Sequence, residues 1–168
     1  MTVLERAPRT ERGGNSAFTA GAMRVTYDGP ADLQRLMPDL QAGVVFRYET
    51  RAMTLTQQNG RMTGVQMRTR DGVTQVIPAD AVVLASGGFE ANAEWRTRYL
   101  GPGWDLAKVR GTRFNTGDGI RMALEVGALA RGNWSGCHAV GWDRNAPNFG
   151  DRKLATASRS TVTRSGSW

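Results

Sequence analysis

Apolar runs and alternation divide the chain into a strand-rich middle and mixed flanks. Val44–Glu49, Ala52–Gln57, Thr63–Arg70 and Val73–Ile77 are β-rich, and Asn59-Gly60 and Asp71-Gly72 interrupt them. Those dipeptides best tolerate the left-handed backbone of tight hairpins, so the pattern predicts one strand followed by a three-stranded antiparallel meander. Within it, Met62, Gly64, Gln66 and Arg68 alternate with Thr63, Val65, Met67 and Thr69, giving one wet face and one covered face. The unbroken apolar run Ala79–Ser86 predicts a buried parallel strand delivered into Gly87-Gly88.

Two helices follow. Ala91–Leu100 places Trp95 and Tyr99 one turn apart, and Arg121–Val126 stops at Gly127. Trp134–Trp142 predicts an apolar strand carrying His138, the only histidine. At the start, Thr2-Val3-Leu4 predicts a short strand ending at Glu5. Val25-Thr26-Tyr27, a turn at Asp28-Gly29-Pro30 and the segment Ala31–Leu36, closed by Pro38, complete a first unit.

Composition suits one soluble α/β domain: 168 residues, 40% hydrophobic and 22% charged, with 21 glycines that fall in pairs and turns, not in a period. No apolar run approaches the roughly 20 residues of a membrane span, and no signal-peptide core opens the chain, so a cytoplasmic protein is expected. Cys137 is the only cysteine, which excludes an internal disulfide and a cysteine-built metal site. Its neighbour His138 would point to the opposite face of a strand, so a buried structural thiol is expected. The net charge of +7 is concentrated at the end: Arg152, Lys153, Arg159 and Arg164 against Asp151 supply +3 of it. Without an RNA-binding aromatic signature, zinc spacing or basic recognition helix, nucleic acid is not the expected partner.

Candidate chemistry clusters at three turns that bare backbone. A short strand ending in an acid suits the ribose of an adenosine, which makes Glu5 a candidate. Arg12, Gly13 and Gly14 follow, and Asn15 and Ser16 can cap a helix whose free N–H groups would face a pyrophosphate. The same residues also fit a surface glutamate and an ordinary glycine turn, because the glycine fingerprint should lie about twenty residues before the ribose acid. Ser86, Gly87 and Gly88 form the second turn, at the carboxyl edge of the expected buried strand, where cofactors lie in open α/β sheets. Thr116, Gly117 and Asp118 form the third, where Thr116 or Asp118 can cap the second helix.

The wording of these stretches carries more. VLERAPRTERGGNSAFTAGAMRVTYDG, PADAVVLASGGFEANAEWRTRYLGPGWDLAKVRGTRFNTGDGIRMALEVGA and NWSGCHAVGWDRNAP resemble flavoprotein subunits of the fumarate reductase and succinate dehydrogenase superfamily. Within it they look most like the tricarballylate dehydrogenases, which oxidise a tricarboxylate to cis-aconitate on FAD. The resemblance covers most of residues 1–150. It implies FAD as cofactor, a small tricarboxylate or dicarboxylate as substrate of the parent enzyme, an electron-transfer partner protein, the Thr116–Asp118 segment beside the flavin, and His138 as a donor to a substrate carboxylate. It also implies that a cap-forming segment has been spliced out near Asp39–Gly43. The proton-handling arginine of the superfamily matches none of the arginines here.

The expected fold is α/β, an incomplete Rossmann-like FAD-binding domain with an antiparallel β-meander. Residues 1–40 form its N-terminal piece, lacking the first strand and phosphate turn, and residues 41–150 form the remainder. Residues 151–168 are Ser/Thr/Arg-rich, expected to be disordered, and depart from the resemblance. One legal codon set for residues 154–168, read from its third base, spells GDGFQKHSYPFGIM, a family-like continuation. A frameshift near Leu154 is therefore expected, and sequencing the coding DNA decides it. Three functions compete: an inactive FAD-binding portion of a flavoprotein dehydrogenase, a complete small enzyme, and a basic non-enzymatic module binding polyanions or nucleic acid. No histidine, cysteine and carboxylate constellation supports the second.

Overall fold

A computed structural model describes residues 1–18, 44–139, 141 and 143–151. The expected first-unit segments at 24–40, the junction at 39–43 and the tail from residue 152 onward lie outside the described residues.

The first strand forms where the apolar triplet predicts it. β1 (Thr2–Leu4) pairs in parallel with β2 (Val45–Arg47), Thr2 opposite Val45 and Leu4 opposite Arg47. Beyond β1 the ladder continues as single bonds: Glu5 N donates to Arg47 O at 2.9 Å, and Thr50 N donates to Glu5 O at 3.0 Å. Glu49 N then reaches Ala7 O at 3.2 Å, with Glu49 held at φ 51°. Such a backbone costs a non-glycine residue about 1–3 kcal/mol and persists only where surrounding bonds impose it. The bend sets Glu5 to Ala7 against the start of the next sheet.

That sheet is the expected meander, β3 (Thr50–Gln58), β4 (Arg61–Thr69) and β5 (Thr74–Pro78), all antiparallel in the order β3-β4-β5. Asn59 and Gly60 both take positive φ, 51° and 75°, the twist that matches a right-handed strand pair. At the second turn Thr69 N donates to Val73 O at 2.9 Å and Gly72 takes φ 91°, so the loop is a residue longer than the Asp71-Gly72 pair alone. The β3–β4 register shifts between Ala52 and Thr54, a bulge at Met53 that turns a carbonyl out of the ladder. Arg121 Nη2 donates to that carbonyl at 2.6 Å and ties the sheet to a helix.

Val65 and Met67 occupy the covered face of β4 and, with Ala7, Val109 and Met122, make the buried apolar core. Met122 belongs to α2 (Asp118–Glu125), which lies against β3. The other helix, α1 (Ala93–Leu100), starts two residues later than predicted because Asn92 caps it, its Oδ1 accepting from Trp95 N at 3.1 Å. The expected Trp95–Tyr99 contact forms, with ring centroids 5.7 Å apart, and Phe89 and Trp134 complete an aromatic cluster around Tyr99. Arg96 is buried, and its guanidinium donates to the carbonyls of Glu90, Trp104, Asp105 and Ala107, which pins the loop after α1.

Several expectations are overturned. Ala79–Ser86 is not a strand and is not buried, with Val83 89% and Leu84 40% exposed. An apolar run becomes a sheet strand only where a neighbour supplies N–H and C=O partners. Among the described residues β1 pairs with β2, and the one ladder bond of the run is at its start, where Ala79 N donates to Thr63 O at 3.1 Å. Residues 134–139 are likewise not a strand. Asn133 Oδ1 accepts from Ser135 N at 2.9 Å and Ser135 Oγ at 2.7 Å, a local turn that competes with extension. Cys137 is accordingly exposed, not a buried thiol.

Candidate cofactor-binding site

Two of the glycine turns, at Gly13-Gly14 and at Gly87, line one cavity of about 1020 Å³, and the third reaches it through Asp118. Glu5 reaches it from the end of β1, Gly13 to Ser16 from the following turn, and Ser86 and Gly87 from the end of the apolar run. Thr50 to Ala52 close it on the meander side, and Asn115 and Asp118 on the helix side. Leu4, Leu55, Val65, Val82 and Met122 make much of its wall apolar. An apolar cleft with a few convergent polar groups is the usual form of a small-molecule site.

Buried Asn115 interlocks the turns. A Cβ on Gly87 would lie 2.5 Å from Asn115 Nδ2, and Gly87 holds φ 74°, so only glycine fits there. A Cβ on Gly14 would lie 3.8 Å from Asn115 Oδ1, an ordinary contact. Asn15 does not cap its own segment, a short 3-10 turn over Gly14–Phe18; its Oδ1 accepts from Thr112 N at 2.9 Å across the cavity floor. Ser86 packs against Gly119, where a Cβ would stand 2.0 Å from its Oγ. First, second and third turns therefore form one body.

Glu5 turns one oxygen back on the chain, Oε1 accepting from Ala7 N at 2.9 Å. Beside it, Arg6 Nη1 donates to Thr116 Oγ1 at 2.6 Å and Asp118 Oδ2 at 3.0 Å. Arg51 grips the same carboxylate from β3, through Nε to Oδ2 at 3.2 Å and Nη2 to Oδ1 at 2.8 Å. Thr116 Oγ1 adds a bond to Oδ2 at 3.2 Å. Burial pushes the Asp118 carboxyl up, but the Arg51 hydrogen bonds and charge, the Arg6 charge and the Thr116 hydroxyl outweigh it and hold the group below the ordinary aspartate value. Burial, then the Arg51 charge, lowers the Arg6 guanidinium, and Asp118 opposes both. The expected capping by Thr116 or Asp118 is thus replaced: the N-cap of α2 is Gly117, φ 84°, without a side-chain cap, because both side chains face the arginines.

The remaining predicted residues sit outside the cavity. Gly88 O accepts from Gly117 N at 3.0 Å, and Gly117 backs onto Trp95 and Phe89. Thr116 stands behind Asp118, and Arg12 Nη1 donates to Arg9 O at 2.9 Å. His138 lies on exposed coil. Arg6, Arg51 and Asn115 were absent from the expected set. Arg6 and Asn115 directly adjoin predicted residues, whereas Arg51 has no local signal.

The model of one protein family matches residues 6–140, and its description is FAD binding domain. The chain belongs to that family. FAD is the cofactor of this family, and the FAD-binding domain spans all three turns of the cavity. Among curated relatives, 3-oxosteroid 1-dehydrogenase of Mycolicibacterium smegmatis is 34% identical over 129 residues, covering 72% of this chain and 21% of the enzyme. Vinyl phenol reductase of Lactiplantibacillus plantarum is 34% identical over 126 residues, covering 68% of this chain and 24% of the reductase. The FAD-binding domain described here thus spans under a quarter of the length of these relatives. Among solved structures, the 3-ketosteroid delta1-dehydrogenase of Sterolibacterium denitrificans aligns with TM-score 0.48 and 33% identity, over 51% of this chain and 16% of that one. A flavocytochrome c3 fumarate reductase in an open conformation aligns with TM-score 0.48 and 27% identity, over 59% of this chain and 17% of that one.

Proposed function

We propose that this chain is the FAD-binding portion of a flavoprotein oxidoreductase whose parent reaction is the oxidation of tricarballylate to cis-aconitate in the cytoplasm. The observation that carries the cofactor half of this reading is the convergence of Glu5, Gly14 and Gly87 on one cavity around Asn115. Glu5 is suited to the ribose hydroxyls with the carboxylate oxygen that Ala7 N does not engage. Gly13, Gly14, Asn15 and Ser16 offer backbone N–H groups to a pyrophosphate. Ser86 and Gly87 serve the same ligand from the second turn. Asp118, with every donor around it already engaged, fixes the wall in place, and His138 gains no support for a substrate role from its position. The substrate half rests on the resemblance of the quoted stretches, and the steroid and vinyl phenol relatives define its competitors.

Bound FAD supplies a two-electron acceptor. The residues here bind and orient; among the described residues lining the cavity the carboxylates are Glu5, assigned above to the ribose, and Asp118, held by Arg6 and Arg51. No turnover is expected from this chain alone, and an electron-transfer partner would serve the parent enzyme. Titration of the purified protein with FAD, followed by flavin fluorescence, tests the reading. Saturable binding weakened by Glu5→Gln is expected; absence of saturable binding overturns it. Anaerobic tricarballylate and a 3-oxosteroid, added separately to the loaded protein, test the substrate class. Bleaching by tricarballylate would refute inactivity, and bleaching by the steroid alone would refute the tricarboxylate assignment.

A further inference from the structure

A second cavity, of about 390 Å³, adjoins the Arg6–Asp118–Arg51 cluster. Arg6, Arg51, Arg68 and Arg70 line it, with Phe114 and Met53 among its apolar surfaces. Arg51 and Arg68 stand directly opposite each other on β3 and β4. Like charges at directly opposed sheet positions destabilise the pairing. Asp118 offsets Arg51 but is shared with Arg6, and Arg70 is paired with Glu49. Arg68 has no carboxylate partner among the described residues. Four guanidiniums therefore face two carboxylates, an excess of two positive charges around a concavity with an apolar wall. Sequences break a local rule of this kind chiefly where a function repays it. The guanidinium fork is suited to planar, two-oxygen contacts with carboxylate or phosphate.

We propose that this cavity binds a small ligand carrying at least two oxyanion charges, with Arg68 as the residue that the ligand neutralises and Phe114 packing against its body. The site is separate from the FAD cavity, although Arg6, Arg51 and Phe114 border both. A phosphate ester and a polycarboxylate share the required chemistry, and inorganic pyrophosphate and citrate distinguish them.

Calorimetric titration of the full chain with each anion, with and without saturating FAD, tests the proposal. Saturable binding of one or both is expected, weakened at least tenfold by Arg68→Gln, partly restored in Arg68→Lys, and unchanged by Arg61→Gln, an exposed arginine outside the cavity. Far-UV circular dichroism confirms that each variant folds; Arg70→Gln, at a side chain 80% exposed, serves if Arg68→Gln does not. No saturable binding of either anion, or equal loss in Arg61→Gln, overturns the site. Competition by FAD overturns its separateness. Anion binding that depends on Arg68 in a protein that fails to bind FAD would leave this site standing while the proposed function falls.

Discussion

Arg51 on β3 holds Asp118 at the start of α2 through two hydrogen bonds, Nη2 to Oδ1 at 2.8 Å and Nε to Oδ2 at 3.2 Å. With Arg6 on the same carboxylate at 3.0 Å, a single acid ties together the segment after β1, the meander and the second helix. The tie adjoins both cavities, so its loss should be felt in stability as well as in binding.

Replacing Asp118 by Asn leaves two partly buried guanidiniums without their counter-charge. Breaking fully buried pairs costs about 3–5 kcal/mol, and the part exposure of both arginines reduces that, so a loss of about 1–3 kcal/mol is expected. Urea denaturation measures it; a change under about 0.5 kcal/mol, the scale of an ordinary surface substitution, would show that the cluster is not a stabilising tie.

The same carboxylate sets a pH dependence. Its folded pKa lies below the unfolded aspartate value of about 3.9, so the stabilisation is complete above that value and disappears as pH falls through the lower, folded one. Acid titration of stability in the native protein and in Asp118→Asn should give curves that converge on the acid side. Parallel curves down to the lowest pH would contradict the assignment.

Gly87→Ala tests the interlock at Asn115. The positive φ costs a β-carbon residue about 1–2 kcal/mol, and the contact with Asn115 adds to it. Lower melting temperature and weaker FAD binding are both expected. Asn115→Ala in the same protein should relieve part of the stability loss, whereas strict additivity would separate the two residues.

Gly60→Ala isolates the hairpin. No atom lies within 4 Å of the added carbon, so only the backbone at φ 75° is penalised, by about 1 kcal/mol, without an effect on either cavity. Denaturation together with FAD titration checks both halves of that expectation.

Val83→Lys addresses the exposed apolar run. A side chain 89% exposed contributes little to folding, so stability should hold while self-association through the exposed apolar run falls. Light scattering across a concentration series decides it; unchanged association would place the sticky surface elsewhere.

The sequence by itself determined the features that a few neighbouring residues can enforce. Asn59-Gly60 and Asp71-Gly72 dictate their turns through local backbone preference, and the alternation around Val65 and Met67 picks the covered face of β4. The wording around Glu5, Gly87 and Gly117 likewise pointed to the FAD-binding family. Tertiary structure decided what depends on distant partners. Ala79–Ser86 has the composition of a buried strand, yet among the described residues no strand pairs along it beyond the Ala79–Thr63 bond, and composition cannot supply one. Asp118 reads locally as a helix cap, yet arginines 67 and 112 residues away claim its oxygens, because a charge-assisted pair in a partly buried site is stronger than a cap bond.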